Sequence, residues 1–274
     1  MRVICIINFK GGVAKTISAI NIAHILAAKH HKRVLLIDND KQGNTSKFFG
    51  VHSYDAPSLA DVLTSRNTNA LHNAVQRTTY DNLDILPANM NLLHADREIL
   101  LDVTRPQQTR LKKAINGMDA AYKPLYDYAV IDCAPDLNMS VINALVAAND
   151  VLIPIKVDKF AFDGLDVLLE QIEDMREFNP QIRVAGGFVT MYSRDNVNMQ
   201  GVEILSEKAG LPMFETVIRA TTKVSQSTYS GEPLAVFAPK STAAAGYDAL
   251  VREYLQGLNV SETNTNEGGA GDGR

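Results

Sequence analysis

Residues 8–18 read NFKGGVAKTIS and follow the apolar run VICII at 3–7. A lysine–threonine pair behind glycines, where an apolar strand gives way to a helix, can grip phosphate. Backbone N–H groups from Gly11 to Thr16 would face an anion at the positive end of the helix. Lys15 would set a point charge near the β- and γ-phosphates, and the Thr16 hydroxyl would reach Mg²⁺. The usual loop reads G-x-x-x-x-G-K-[ST]. Phe9 and Ala14 stand where its two glycines belong. At Ala14 a negative φ would cost little, whereas a positive φ implies strain of order 1 kcal/mol or more.

Two further stretches carry acids that suit the same chemistry. RVLLIDNDKQGN ends an apolar run at Asp38 and sets Asp40 two residues on. In extended chain these side chains leave on one side, placed to hold a metal's water and to orient an attacking water. YDYAVIDCAPDL leads through four apolar positions to Asp132, the pattern of a strand-end carboxylate that supports Mg²⁺. Any one of these acids could be a turn or capping residue. Three of them at the ends of apolar runs, together with the loop, point to nucleoside triphosphate hydrolysis.

The elements that must position these residues alternate along the chain. Expected strands are 3–7, 33–38, 83–88, 128–132, 151–155, 183–191 and 214–218. They are nearly all apolar, as strands are when helices cover both faces of a parallel sheet. Amphipathic helical patterns occupy 16–29, 140–148, 164–178 and 241–255, and two more, broken around Pro106, form a helical excursion over 89–123. The alternation predicts an α/β fold: a doubly wound, mostly parallel sheet flanked by helices, in a single domain over 1–257. The acidic, glycine-rich stretch over 258–274 is expected to be a disordered tail.

Composition narrows the classes. The 274 residues carry 46% hydrophobic and 21% charged side chains and a formal net charge of −4. Nucleic-acid binding would therefore need a local basic patch. No apolar run approaches the length of a membrane span. Cys5 and Cys133, far apart and with no secretory signal before them, read as free thiols in a reducing cytoplasm. His30 and His31 read as exposed turn residues and His24 as a packed helix residue, with no metal spacing among the histidines.

The motifs KGGVAKT, LLIDNDKQGN, DYAVIDCAPDL and VLIPIKVDKFAFDGL resemble, in order and spacing, those of the ParA family of partition ATPases. That family belongs to the MinD/ParA group of P-loop NTPases, with the deviant Walker A loop K-G-G-x-G-K-[ST], and the resemblance covers roughly residues 1–257. It accounts for Phe9, because the group marks itself by the next residue, here Lys10. The resemblance implies ATP and Mg²⁺ as cofactors, with Lys10, Gly11, Gly12, Val13, Ala14, Lys15, Thr16 and Ile17 binding nucleotide. Thr16, Asp38 and Asp132 would attend the metal, and Asp40 would position the hydrolytic water. Lys10, with Lys15, would meet developing phosphoryl charge, Lys10 acting across the interface of a sandwich homodimer. Gln42, Gly43 and Asn44 would lie in a first switch, and Asp132–Pro135 would open a second.

The chain departs from the family where Lys41 replaces a proline and where Ala14 replaces a glycine. The resemblance implies a cytoplasmic, nucleoid-associated partition ATPase that binds DNA non-specifically when dimeric. A ParB-type partner would stimulate slow hydrolysis and release it. Arg219 and Lys223 are the DNA-binding candidates, followed by Arg194 and Lys240. The sequence starts at the first strand, so no helix-turn-helix extension is expected. The polar tail argues against the membrane-targeting helix of a MinD-like regulator, and the cysteines against an iron–sulfur role. An ATP-dependent scaffold that positions another cargo is the other alternative.

Overall fold

In the computed structural model, which describes residues 1–122, 125–158 and 164–267, every long apolar run of the sequence lies in one sheet. The strands are β1 (Arg2–Ile6), β2 (Val34–Asn39), β3 (Gln76–Arg77), β4 (Leu83–Leu86), β5 (Tyr128–Cys133), β6 (Asp150–Lys156), β7 (Arg183–Tyr192) and β8 (Met213–Arg219). Their order is β3-β4-β2-β5-β1-β6-β7-β8, and all pair in parallel except β3, a two-residue antiparallel edge on β4. That edge escaped the sequence reading because two polar residues carry no strand pattern.

Helices cover both faces. In chain order they are α1 (Lys15–Ala28), α2 (Asn44–Phe48), α3 (Leu59–Thr64), α4 (Ala70–Ala74), α5 (Asn91–Leu101) and α6 (Arg110–Tyr122). Then follow α7 (Met139–Ala147), α8 (Leu165–Asp174), α9 (Asn196–Lys208), α10 (Thr222–Ser230), α11 (Leu234–Phe237) and α12 (Thr242–Glu267). One apolar cluster joins the sheet to α3, α5, α6, α7 and α8, and a second joins its other face to α1 and α12. The doubly wound arrangement predicted from the alternation is what the structure has.

Two expectations change. α1 is not amphipathic: every residue from Ile17 to Ala27 is buried, because α12 and α11 cover the side turned away from the sheet. Its polar residues find partners inside. Ser18 Oγ lies 2.9 Å from Tyr247 Oη, and Asn21 donates to Ile17 O and accepts from Leu234 N. The tail boundary also moves. Leu258 is buried against the α1 cluster, and α12 runs on to Glu267, into the stretch expected to be disordered. Once the docked turns form the helix, each further residue adds a hydrogen bond without a new nucleation cost. Residues 268–274 of that stretch lie outside the described residues.

Candidate nucleotide site

β1 ends at Ile6, and the loop that follows is braced from two neighbouring strands. Asn8, buried, donates from Nδ2 to Pro154 O of β6 (2.9 Å) and accepts from Lys10 N (2.9 Å). Thr190 of β7 donates to Val13 O at 3.1 Å. Gly12 has φ 70°, and Ala14 has φ 68° and ψ 28°, both left-handed. The condition raised by the sequence is thus met in its costly form. A methyl-bearing residue holds the conformation that favours glycine, at about 1–2 kcal/mol.

Lys15 begins α1 and is buried at 8% exposure, with Nζ donating to Lys10 O at 2.9 Å. Burial pushes its pKa down and the nearby Asp132 carboxylate opposes that shift. A buried ammonium that has only a carbonyl as direct partner is poised for an anion. Lys10 points elsewhere in this structure: its Nζ forms an ion pair with Asp158.

The two strand-end acids lie side by side, since Asp38 of β2 and Asp132 of β5 are register partners and both are fully buried. Asp38 accepts from Ser46 N (2.8 Å), Ser46 Oγ (2.6 Å) and Asp40 N (3.2 Å), so it fastens residues 40–46 to the sheet. Asp132 Oδ2 accepts from Thr45 Oγ1 at 2.7 Å, and the Thr16 hydroxyl also favours its charged form. Its Oδ1 is buried and has no partner. Burial drives both carboxyls up from their ordinary range, with the repulsion of Asp132 adding to the effect at Asp38. An orphaned carboxylate oxygen beside a hydroxyl and a loop lysine fits a hard divalent cation. The donor set therefore favours Asp132 and Thr16 over Asp38, whose oxygens are already engaged.

Asp40 is half-buried and lines the same cleft. Its Oδ1 accepts from Gln42 N at 2.9 Å. Gly43 has φ 63°, and a Cβ there would come within 2.6 Å of Ala88 O. Lys41 forms a 2.8 Å ion pair with Asp136, tying the loop after β2 to the loop after β5. The thiols of Cys5 and Cys133, distant in sequence, are buried and free with Sγ atoms 3.1 Å apart. Burial pushes the Cys133 thiol well up, which leaves it unreactive.

Gly11, Gly12, Ala14, Lys15, Thr16 and Ile17 open on a cleft of about 740 Å³. Its far wall was not read from the sequence. Phe48, Met191 and Thr228–Gly231 form it, with Tyr229 96% exposed and Met191 left-handed at φ 53°. His24 is packed, edge-on to Tyr80, and burial lowers its pKa to about 4.

Of the basic candidates, three lie just at or beyond the carboxyl ends of β7 and β8. Arg219 pairs in register with Tyr192, Arg194 lies two residues beyond Tyr192, and Lys223 sits in the first turn of α10. Arg194 and Lys223 are exposed and Arg219 is half-buried. Lys240 lies apart from these three in sequence, in the turn between α11 and α12. The motif stretch VLIPIKVDKFAFDGL extends into residues 159–163, which lie outside the described residues.

A parallel sheet with a lysine-bearing loop after its central strand and a buried acid at the end of the next strand defines a P-loop nucleoside triphosphatase. Comparisons agree with that class. A family model described as "AAA domain" matches residues 1–184. The sporulation initiation inhibitor protein Soj of Bacillus subtilis is 32% identical over 92% of this chain and 97% of its own length. The chromosome partitioning protein ParA of Caulobacter vibrioides is 35% identical over 93% of this chain and 94% of its own. Among solved structures, a cobyrinic acid a,c-diamide synthase of Mycobacterium smegmatis with bound ADP and magnesium matches with a TM-score of 0.80 at 28% identity, covering 94% of this chain and 95% of that one. The chain belongs to the ParA family of P-loop ATPases.

Proposed function

We propose that the protein is a Mg²⁺-dependent ATPase that segregates DNA, switching state as it binds and hydrolyses ATP. The observation that carries this reading is the buried, unpartnered Asp132 Oδ1 beside Thr16 and Lys15, at the mouth of an anion-binding loop. Thr16 and Asp132 would hold Mg²⁺, which supplies charge neutralisation at the β- and γ-phosphates. Loop N–H groups and Lys15 bind the phosphates. Asp40, half-exposed in the cleft, orients the attacking water and draws its proton. Asp38 keeps Ser46 in place, and Asp132 holds Thr45, so that the first switch can sense the γ-phosphate.

Lys10 leaves Asp158 and reaches the phosphates of a second copy, so ATP drives a sandwich homodimer. The dimer binds DNA non-specifically through Arg219, Lys223 and Arg194, with Lys240 the weakest candidate, and so associates with the nucleoid. A ParB-type centromere-binding partner stimulates slow hydrolysis and releases it. The kinship with Soj and with a chromosome partitioning protein supports the DNA cargo. No described helix is long and apolar enough to cross a membrane.

Nucleotide binding and phosphate release test the reading. The chain should bind ATP with Mg²⁺, and Lys15→Ala should abolish binding. Asp40→Ala should retain binding and lose about 10²-fold in turnover or more. Absence of detectable ATP affinity would sink the proposal. Hydrolysis that neither DNA nor a centromere-binding partner accelerates would favour a positioning scaffold instead.

A further inference from the structure

Away from the nucleotide cleft, the helices between β2 and β5 enclose a second cavity of about 290 Å³. Arg66, Arg105, Arg110 and Lys113 line it. Arg110 is buried at 5% exposure, Arg105 is half-buried, and Arg66 and Lys113 stand exposed at the rim. Lys113 follows Arg110 by three positions on α6, so the two share a helix face.

The acids nearby do not balance these cations. Asp102 serves both arginines at once, accepting from Arg105 Nε at 2.8 Å and from Arg110 Nη2 at 2.9 Å, and its other oxygen accepts from the Thr104 hydroxyl. Glu98 adds a second negative charge within electrostatic reach of Arg110. Four cations thus share two carboxylates. Arg105 also donates from Nη1 and Nη2 to the carbonyls of Ser65 and Thr64, and Arg66 donates to Thr104 Oγ1. Arg110 donates weakly to Leu63 O at 3.3 Å, and its Nε is buried with no partner. Burial first, and then the repulsion of Arg105, press the Arg110 guanidinium down. Two guanidinium groups crowded under one carboxylate form an under-neutralised site that a bound anion would relieve.

We propose that this cavity binds a small molecule bearing a phosphate-class oxyanion. The planar donor forks of arginine match phosphate geometry, and a lysine at the rim adds charge without fixing orientation. A duplex backbone suits the site less well, because a convex phosphate ridge meets the rim cations and not the recessed Arg110. The cavity is also wired to the switch region. Arg110 N and Leu111 N donate to Asn143 Oδ1 of α7 at 2.7 and 3.1 Å, and Asn143 Nδ2 donates back to Gln107 O. The first turn of α7 is held by Asp96, which accepts from Ser140 N at 2.7 Å. An effector in the cavity therefore bears on the helix that follows the second switch. This site does not rest on the nucleotide reading.

The test is backbone amide NMR of the full chain titrated with pyrophosphate, which separates this site from the P-loop by residue. Saturable shifts are expected at 64–68 and 102–113, whatever happens at 10–17. The double variant Arg66→Glu/Lys113→Glu, both positions exposed, should weaken binding at those segments by about tenfold or more. The rest of its spectrum should stay unchanged, which reports the fold. No saturable shift at those segments, or equal affinity in the variant, overturns the proposal. A short DNA duplex forms the second arm. If DNA shifts those segments and pyrophosphate does not, the rim belongs to a DNA surface and the small-molecule site is refuted.

Discussion

Ala14 sits at φ 68°, where its Cβ crowds its own backbone, and it also packs against the α1 cluster and faces the cleft. Relief of about 1–2 kcal/mol of left-handed strain is set against about 0.5–1 kcal/mol of glycine's extra unfolded-state entropy. Ala14→Gly should therefore stabilise the protein by about 0.5–1 kcal/mol, read from urea midpoints, with ATP binding retained. At Gly43 the sign reverses. Positive φ and a Cβ only 2.6 Å from the Ala88 carbonyl leave no room, so Gly43→Ala should cost about 2 kcal/mol or more and distort the first switch. The Lys41–Asp136 pair is a different case. Both side chains are partly exposed, so a double-mutant cycle should give less than about 1 kcal/mol of coupling, shrinking with salt.

At the scale of elements, α1 links the phosphate loop to α12. The Ser18–Tyr247 hydrogen bond lies inside that contact, and Tyr247→Phe would strand the serine hydroxyl. A loss of about 1–2 kcal/mol is expected in thermal or urea unfolding. The apolar runs disclosed the strands well because burial on both sheet faces leaves a continuous signal. α1 was found, but its amphipathicity was misread: Ser18 and Asn21 look like a wet face until α12 and α11 are seen to cover them. The loop lysines and the three aspartates were legible because their chemistry needs fixed spacing. Asn8, Thr45, Ser46 and Thr190 were not, since bracing hydrogen bonds join residues remote in sequence and impose no local pattern.

For the whole molecule, the paired Asp38 and Asp132 make stability depend on pH. Their carboxyls are raised in the folded state, so the pair holds more protons folded than unfolded above about pH 4. The pair's contribution to unfolding free energy should then fall as pH rises from about 4 and level off once Asp38, raised to about 8, has ionised; below about pH 6.5 the lowered His24 imidazole acts in the opposite sense, so the net fall is read above it. Saturating Mg²⁺ and ATP should flatten that slope, because a bound cation takes the place of the proton; urea unfolding across this range with and without ligand checks it. The proposed DNA binding belongs to the same scale. Arg219→Ala with Lys223→Ala should weaken binding to every sequence alike and lower the dependence on salt.

The strand order carries one more consequence, for the nascent chain. β1 is made first, yet its neighbours in the sheet are β5 and β6, and the cover over α1 includes α12. While the ribosome is still translating the middle of the message, the N-terminal strand has neither of its sheet neighbours, and the helix has β2 and β4 to pack against but not yet β5 or α12. Part of their apolar surface stays open until β5, β6 and then α12 emerge from the exit tunnel. Synthesis of this chain thus imposes a long wait on its phosphate loop, an interval in which holdase chaperones would find their natural substrate.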